Sequence, residues 1–182
     1  MWFFDRIKQY VLSFSQPQDL VLIPSTKPTT PPAPQPIVFG TSGRLEIPEL
    51  EIGVPLYDSR GQDKQAIVDA ENSAIYMNWG TQQCIADHTY QSNFVNLNKA
   101  IVGKTIAFID DGTNRRAYCC VSSQIGHIRI GMNGGNTLLD ANWELVYPQN
   151  YGGICIYTCL RKSADDVMDV RLTFWQPAQY GY

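Results

Sequence analysis

Histidine is scarce in this 182-residue chain, which holds only His88 and His127. Its five cysteines, Cys84, Cys119, Cys120, Cys155 and Cys159, include no CxxC pair and have no histidine cluster beside them. Structural zinc sites draw on such spaced pairs, so the sequence argues against zinc and offers no cofactor motif. No run of 18 or more apolar residues exists, which leaves no candidate membrane-crossing helix. The N-terminus also lacks an uninterrupted apolar core and a small-residue cleavage site, so it is a poor signal peptide. A basic stripe is missing too. With a formal net charge of −3, that weighs against nucleic acid as a partner.

What is present suits a globular domain: 44% apolar and 17% charged residues. Most of the 11 prolines fall between Pro24 and Pro36, a stretch that should be extended and builds no core. Three segments follow. Residues 1–23 form an N-terminal amphipathic segment, with Trp2, Phe3, Ile7, Tyr10, Val11 and Phe14 near helical spacing. It is read as a helix packed on its own domain, a lid, or an interfacial anchor making peripheral membrane contact through residues 1–14. Residues 24–42 are a Pro-rich linker, and residues 43–182 are the folded domain.

Within that domain, short alternating or β-branched runs recur between turn residues: 44–47, 53–57, 74–77, 83–88, 105–109, 116–130, 144–147, 153–159 and 167–175. Two helical patches stand out, Lys64–Glu71 and Asn93–Ala100. The expectation is a mainly β, closed or nearly closed antiparallel barrel with a few short helices. Asp110-Asp111-Gly112 reads as a turn rather than a calcium site. Asn133-Gly134-Gly135-Asn136 is a second turn, opening a long connection that reaches Tyr151.

The chemistry centres on Cys159, which ends the run Ile156-Tyr157-Thr158-Cys159. His88 lies 71 residues upstream (159 − 88) and Arg171 lies 12 downstream (171 − 159). A thiolate, an imidazole that moves protons and a guanidinium that holds an oxyanion suffice for acyl transfer. Papain-like hydrolases place their Cys before their His, the reverse of this order. Cysteines are more often buried core, and Cys84, Cys119, Cys120 and Cys155 take that reading. His127 is read as structural or surface. Arg161 and Lys162 sit in what reads as a solvated loop, whereas Arg171 lies on a strand candidate at an even separation from Cys159. Asp87 is next to His88, but adjacent strand residues face opposite sides.

Three blocks resemble the sortase family. Leu45–Tyr57 resembles its opening strand segment. Ile85-Ala86-Asp87-His88-Thr89-Tyr90-Gln91-Ser92-Asn93-Phe94 resembles the block around its catalytic histidine and points to a class B-like member. Tyr157-Thr158-Cys159 resembles its Thr-Cys block, with Arg171 where its essential arginine is expected. The resemblance implies a closed eight-stranded β-barrel and a cysteine transpeptidase whose catalytic residues are His88, Cys159 and Arg171. Cys159 would attack the sorting signal of a secreted protein, and a peptidoglycan or pilin amine would resolve the thioester. It also implies an extracytoplasmic site of action at a Gram-positive type cell surface, in association with the membrane. Thr158, Trp143, Tyr147 and Tyr151 are the substrate-binding candidates, the aromatics either lining a peptide groove or capping the barrel. The alternatives are a non-catalytic peptide-binding module and a plain cysteine hydrolase.

Overall fold

A computed structural model describes residues 43–59, 64–70, 73–79, 82–131, 136–147 and 153–178. The segments 1–23 and 24–42 lie outside the described residues, as does Tyr151.

Strand β1 (Gly43–Ile47) alternates, burying Leu45 and Ile47. The chain reverses through a 3-10 turn, Pro48–Leu50. The proline ring presets its first φ, and Glu51 closes it at φ 56 with its N–H donating to the Pro48 carbonyl at 3.0 Å. Strand β2 (Ile52–Asp58) returns antiparallel to β1. A crossover carrying helix α1 (Lys64–Asp69) then leads to β3 (Ala74–Trp79), which is parallel to β2. β3 pairs antiparallel with β4 (Gln82–Asp87), after which a 3-10 helix, Phe94–Lys99, buries Phe94 and Leu97. The remaining strands are β5 (Ile106–Asp110), β6 (Arg115–Ile130), β7 (Asn136–Leu139), β8 (Ile154–Ala164) and β9 (Val167–Pro177).

The strand order is β5-β1-β2-β3-β4-β8-β9-β6, and a β5–β6 pairing closes these eight into a barrel. The ninth strand, β7, hangs on β6 outside the ring. The closed eight-stranded barrel is the one expected, with two differences. The pairs β2–β3 and β4–β8 are parallel, because crossovers rather than hairpins connect them. β7 lies inside the stretch read as one long connection, where four residues give too short a pattern to read.

Two apolar clusters hold the domain. The barrel interior is filled by Leu45, Ile47, Leu56, Tyr76, Ile85, Ile109, Tyr118, Ile156 and Trp175 among others. Inside it, the Trp175 Nε1–H donates to Thr173 Oγ1 at 2.8 Å, and that hydroxyl donates to the Ile156 carbonyl at 2.6 Å. The second cluster lies on the opposite face of β3, β4, β8 and β9. It contains Ile75, Met77, Cys84, Cys155, Tyr157, Leu172 and Phe174, with Leu138 of β7 and Ile67 and Val68 of α1 packed on it. Strand β8 therefore has apolar cover on both faces, which is why Ile154–Tyr157 reads as a continuous apolar run rather than an alternation. The segment read as a solvated loop continues β8 to Ala164, and only Asp165 and Asp166 turn into β9. Its exposed polar side chains conceal a paired backbone.

Candidate active site

Strands β4 and β8 run parallel, with Cys84 opposite Cys155 and Asp87 opposite Thr158. The next residue on each chain is His88 and Cys159. Residues 71 apart in sequence thus reach the same end of the sheet by register alone. Thr158, buried on both sides, ties the two together: its Oγ1–H donates to the Asp87 carbonyl at 2.8 Å and lies 3.2 Å from Thr89 Oγ1. Thr158 thereby holds the backbone before His88 and the side chain after it. Its hydroxyl is occupied by that task and faces no opening.

His88 and Cys159 both line a cleft of about 450 Å³. Its walls also include Gln65, Thr89, Tyr90, Ile128, Asn136, Arg161, Lys162 and Met168. Cys159 shares the face of Cys155 and Tyr157 and is half-buried. Burial pushes its thiol above the usual range. The His88 Nε2 is 2.9 Å from Asp69 Oδ1, and Gln65 Nε2 donates to the same oxygen at 2.8 Å. Those two bonds hold the Asp69 carboxyl below its ordinary value. Asp87 faces away from the cleft but accepts the His88 backbone N–H at 2.7 Å. Burial raises its carboxyl from 3.8 to about 6.

Arg171 lies opposite Thr158 on β8 and Ile125 on β6, whereas Val170 is opposite Cys159. Cross-strand partners share a face, so Arg171 is placed on the Thr158 side and is not among the cleft residues. Its Nε is buried with no hydrogen-bond partner among the described residues. Arg161 Nε bonds Asp169 Oδ2 at 2.9 Å, and the other oxygen of that carboxylate is 3.0 Å from His127 Nδ1. Trp143, at φ 66, stacks on His127 with ring centroids 4.0 Å apart. His127, read as structural or surface, thus carries a carboxylate and an indole. Neither Trp143 nor Tyr147 lines the cleft, and both are exposed.

The structure thus brings His88 and Cys159 together and sets Arg171 one residue over on the neighbouring strand. The sequence reading missed Asp69 and Gln65, which reach the site from the β2–β3 crossover with no local pattern to announce them. Among the other cysteines, Cys84, Cys120 and Cys155 are buried and Cys119 is half-buried; burial raises the Cys120 thiol to about 11 and that of Cys155 well above its usual range. Among the described residues, no group of three or more His, Cys, Asp or Glu side chains could hold a metal ion, and no helix is long and apolar enough to cross a membrane.

Solved structures share this fold. A pilus-related sortase C of Group B Streptococcus superposes with a TM-score of 0.52, covering 79% of this chain and 71% of that one. The chain has a sortase-like fold. Sortase C2 of Group B Streptococcus pilus island 1 gives 0.51 over 79% and 77% of the two chains. Sortase C1 of GBS pilus island 1 gives 0.51 over 78% and 68%. Each is 14% identical to this chain, so the likeness is one of sortase fold alone. No protein-family model and no curated protein matches the sequence.

Proposed function

We propose that this sortase-like barrel is a cysteine transpeptidase acting on a C-terminal sorting signal. The observation that carries the reading is the β4–β8 register, which delivers a thiol and an imidazole to one cleft on this fold. In the proposed cycle the Cys159 thiolate attacks the carbonyl carbon of the scissile peptide bond. The tetrahedral oxyanion collapses, the C–N bond breaks, and the leaving amine takes a proton from the His88 imidazolium. The acyl group remains on Cys159 as a thioester. An incoming peptidoglycan or pilin amine loses its proton to His88, attacks the thioester and expels the thiolate.

Burial disfavours the Cys159 thiolate, so a neighbouring imidazolium is the group that would make it available. Arg171 takes the oxyanion or orienting role that the sortase resemblance implies. Its support here is a buried Nε–H with no hydrogen-bond partner among the described residues, one strand over from Cys159. Because Trp143 and Tyr147 lie outside the cleft, they enter this reading only through a peptide long enough to reach them. The proposed setting is the exterior of a Gram-positive type cell, with residues 1–14 as a membrane contact. The class B-like resemblance of the histidine block is retained as a proposal beside the sortase C likeness of the fold.

The raised Cys159 thiol also favours a second reading, a sortase-like barrel that binds peptides without turnover. Intact mass spectrometry after incubation with a panel of sorting-signal peptides separates the two. An acyl adduct on the wild type, absent from Cys159→Ala and discharged faster by an added amine, is expected. A folded protein that forms no adduct with any peptide would move the assignment to the binding module. Discharge at a rate indifferent to amine would mark a plain hydrolase.

A further inference from the structure

The sortase resemblance uses a thiol, an imidazole and a guanidinium, yet the imidazole here is bonded to a carboxylate that this scheme leaves out. We infer that Asp69 is a positioning residue for His88, so that Cys159, His88 and Asp69 work as one line of groups. The inference rests on the reading of Cys159 and His88 given above.

The carboxylate is placed by the fold rather than by chance contact. Asp69 is the last residue of α1, whose Ile67 and Val68 pack on the apolar cluster behind β3, β4 and β8. Beyond the helix end, the buried Ser73 hydroxyl bonds the carbonyls of both Ile67 and Ala70 and anchors that end to the start of β3. Gln65, one turn back on α1, donates to Asp69 Oδ1 at 2.8 Å, so the oxygen facing His88 is held before any substrate arrives. Gln65 is itself a cleft residue.

The chemistry follows from which nitrogen is engaged. His88 meets Asp69 through Nε2 at 2.9 Å, which leaves Nδ1 to exchange a proton with the Cys159 thiol. A carboxylate at that distance fixes the orientation of the ring, so that the imidazole is held ready for the proton that the buried Cys159 thiol retains. The other ionisable groups around His88 are Asp87 on its N-terminal side, Tyr90 with its ring 6.2 Å away, and Cys159, Arg161 and Lys162 on β8. Of the two carboxylates, Asp87 reaches only the backbone N–H. Asp69 alone meets the ring.

The test needs no substrate. The rate of Cys159 alkylation by iodoacetamide is followed from pH 5 to 10 on the full chain, read from the mass of the Cys159 peptide. Wild type is compared with Asp69→Asn, Asp69→Glu and His88→Ala. The Asp69 side chain is more than half exposed, so its substitutions leave the core intact. Asp69→Asn should slow alkylation about tenfold near pH 7 and converge on wild type at high pH, where the thiol ionises unaided. Asp69→Glu should stay within about threefold of wild type, and His88→Ala should match or exceed the Asp69→Asn loss. If His88→Ala slows alkylation and Asp69→Asn does not, the role of Asp69 is refuted while the Cys159–His88 pair stands. If neither variant changes the profile, the pair fails, and the proposed transpeptidase with it. Slowing by Asp69→Asn alone would also overturn the inference, since the effect would not pass through His88.

Discussion

Asp87→Asn should stabilise this protein at neutral pH and do nothing for it in acid. The Asp87 side chain is buried at the end of β4, and its carboxyl is raised from 3.8 to about 6 because burial penalises the charged form. Between those values the unfolded chain has given up its proton while the folded chain still keeps it. The folded state therefore gains from a protonated Asp87 at low pH and loses that gain as pH rises through about 6. The interval, just over two pH units, corresponds to roughly 3 kcal/mol. Asparagine never ionises, and its carbonyl oxygen can still accept the His88 backbone N–H now bonded at 2.7 Å. Urea unfolding of wild type and Asp87→Asn should thus differ little at pH 4 and by roughly 2–3 kcal/mol at pH 7.5, with the variant more stable. The same difference at both pH values would refute the argument, because it would locate the effect in packing rather than in ionisation.

Thr158→Val removes the hydroxyl that spans β8 and the His88 segment, leaving the Asp87 carbonyl one donor short. A loss of about 1–3 kcal/mol in urea unfolding is expected, with slower Cys159 alkylation at pH 7, and Thr158→Ser should recover most of both. Gly126→Ala would put a Cβ 2.5 Å from the Leu139 carbonyl oxygen and 2.4 Å from the Leu172 side chain, where β6 carries β7 past β9. It should cost about 1–3 kcal/mol, read as a fall in Tm, and an unchanged Tm would contradict the close approach. In the peptide-adduct assay, Arg171→Lys should lower the rate about 100-fold, since a point charge does not replace a planar fork, while Arg161→Ala stays within about threefold. The opposite ranking would transfer the cationic role to Arg161, which the cleft does include.

What the sequence revealed and what it concealed divide along physical lines. The barrel was legible because β1, β2, β5 and β6 carry their alternation locally, as in the buried Leu45 and Ile47 flanking a less buried Glu46. The two parallel pairs were not legible, because β4 and β8 meet across 66 intervening residues, with nothing local to either strand that names its neighbour (154 − 87 − 1). Asp69 was concealed for the same reason: it is 19 residues from His88 and approaches from a crossover helix. Arg171 shows the limit of counting. Its even separation from Cys159 says nothing about which face it takes, because the β8–β9 hairpin between them contains two register shifts, Cys159/Arg161 and Lys162/Ala164.

The same reasoning explains why the proposed chemistry is assigned to Cys159 rather than to Cys155. Both lie on one face of β8, four residues apart, and nothing in the strand pattern distinguishes them. Cover distinguishes them. Cys155 is wholly buried opposite Cys84, under the apolar cluster that α1 and β7 help to build. Cys159 is at the edge of that cover, half-buried, and the next residue, Leu160, is exposed. At the same level β4 has also run out, so the chain beside Cys159 is free to leave the sheet as His88 and turn its ring toward α1. A thiol at the last covered position of one strand, beside an imidazole at the first free position of its parallel neighbour, is a site specified by where two strands stop. Few residues are needed to encode that: the register of one parallel pair and the ends of its two strands.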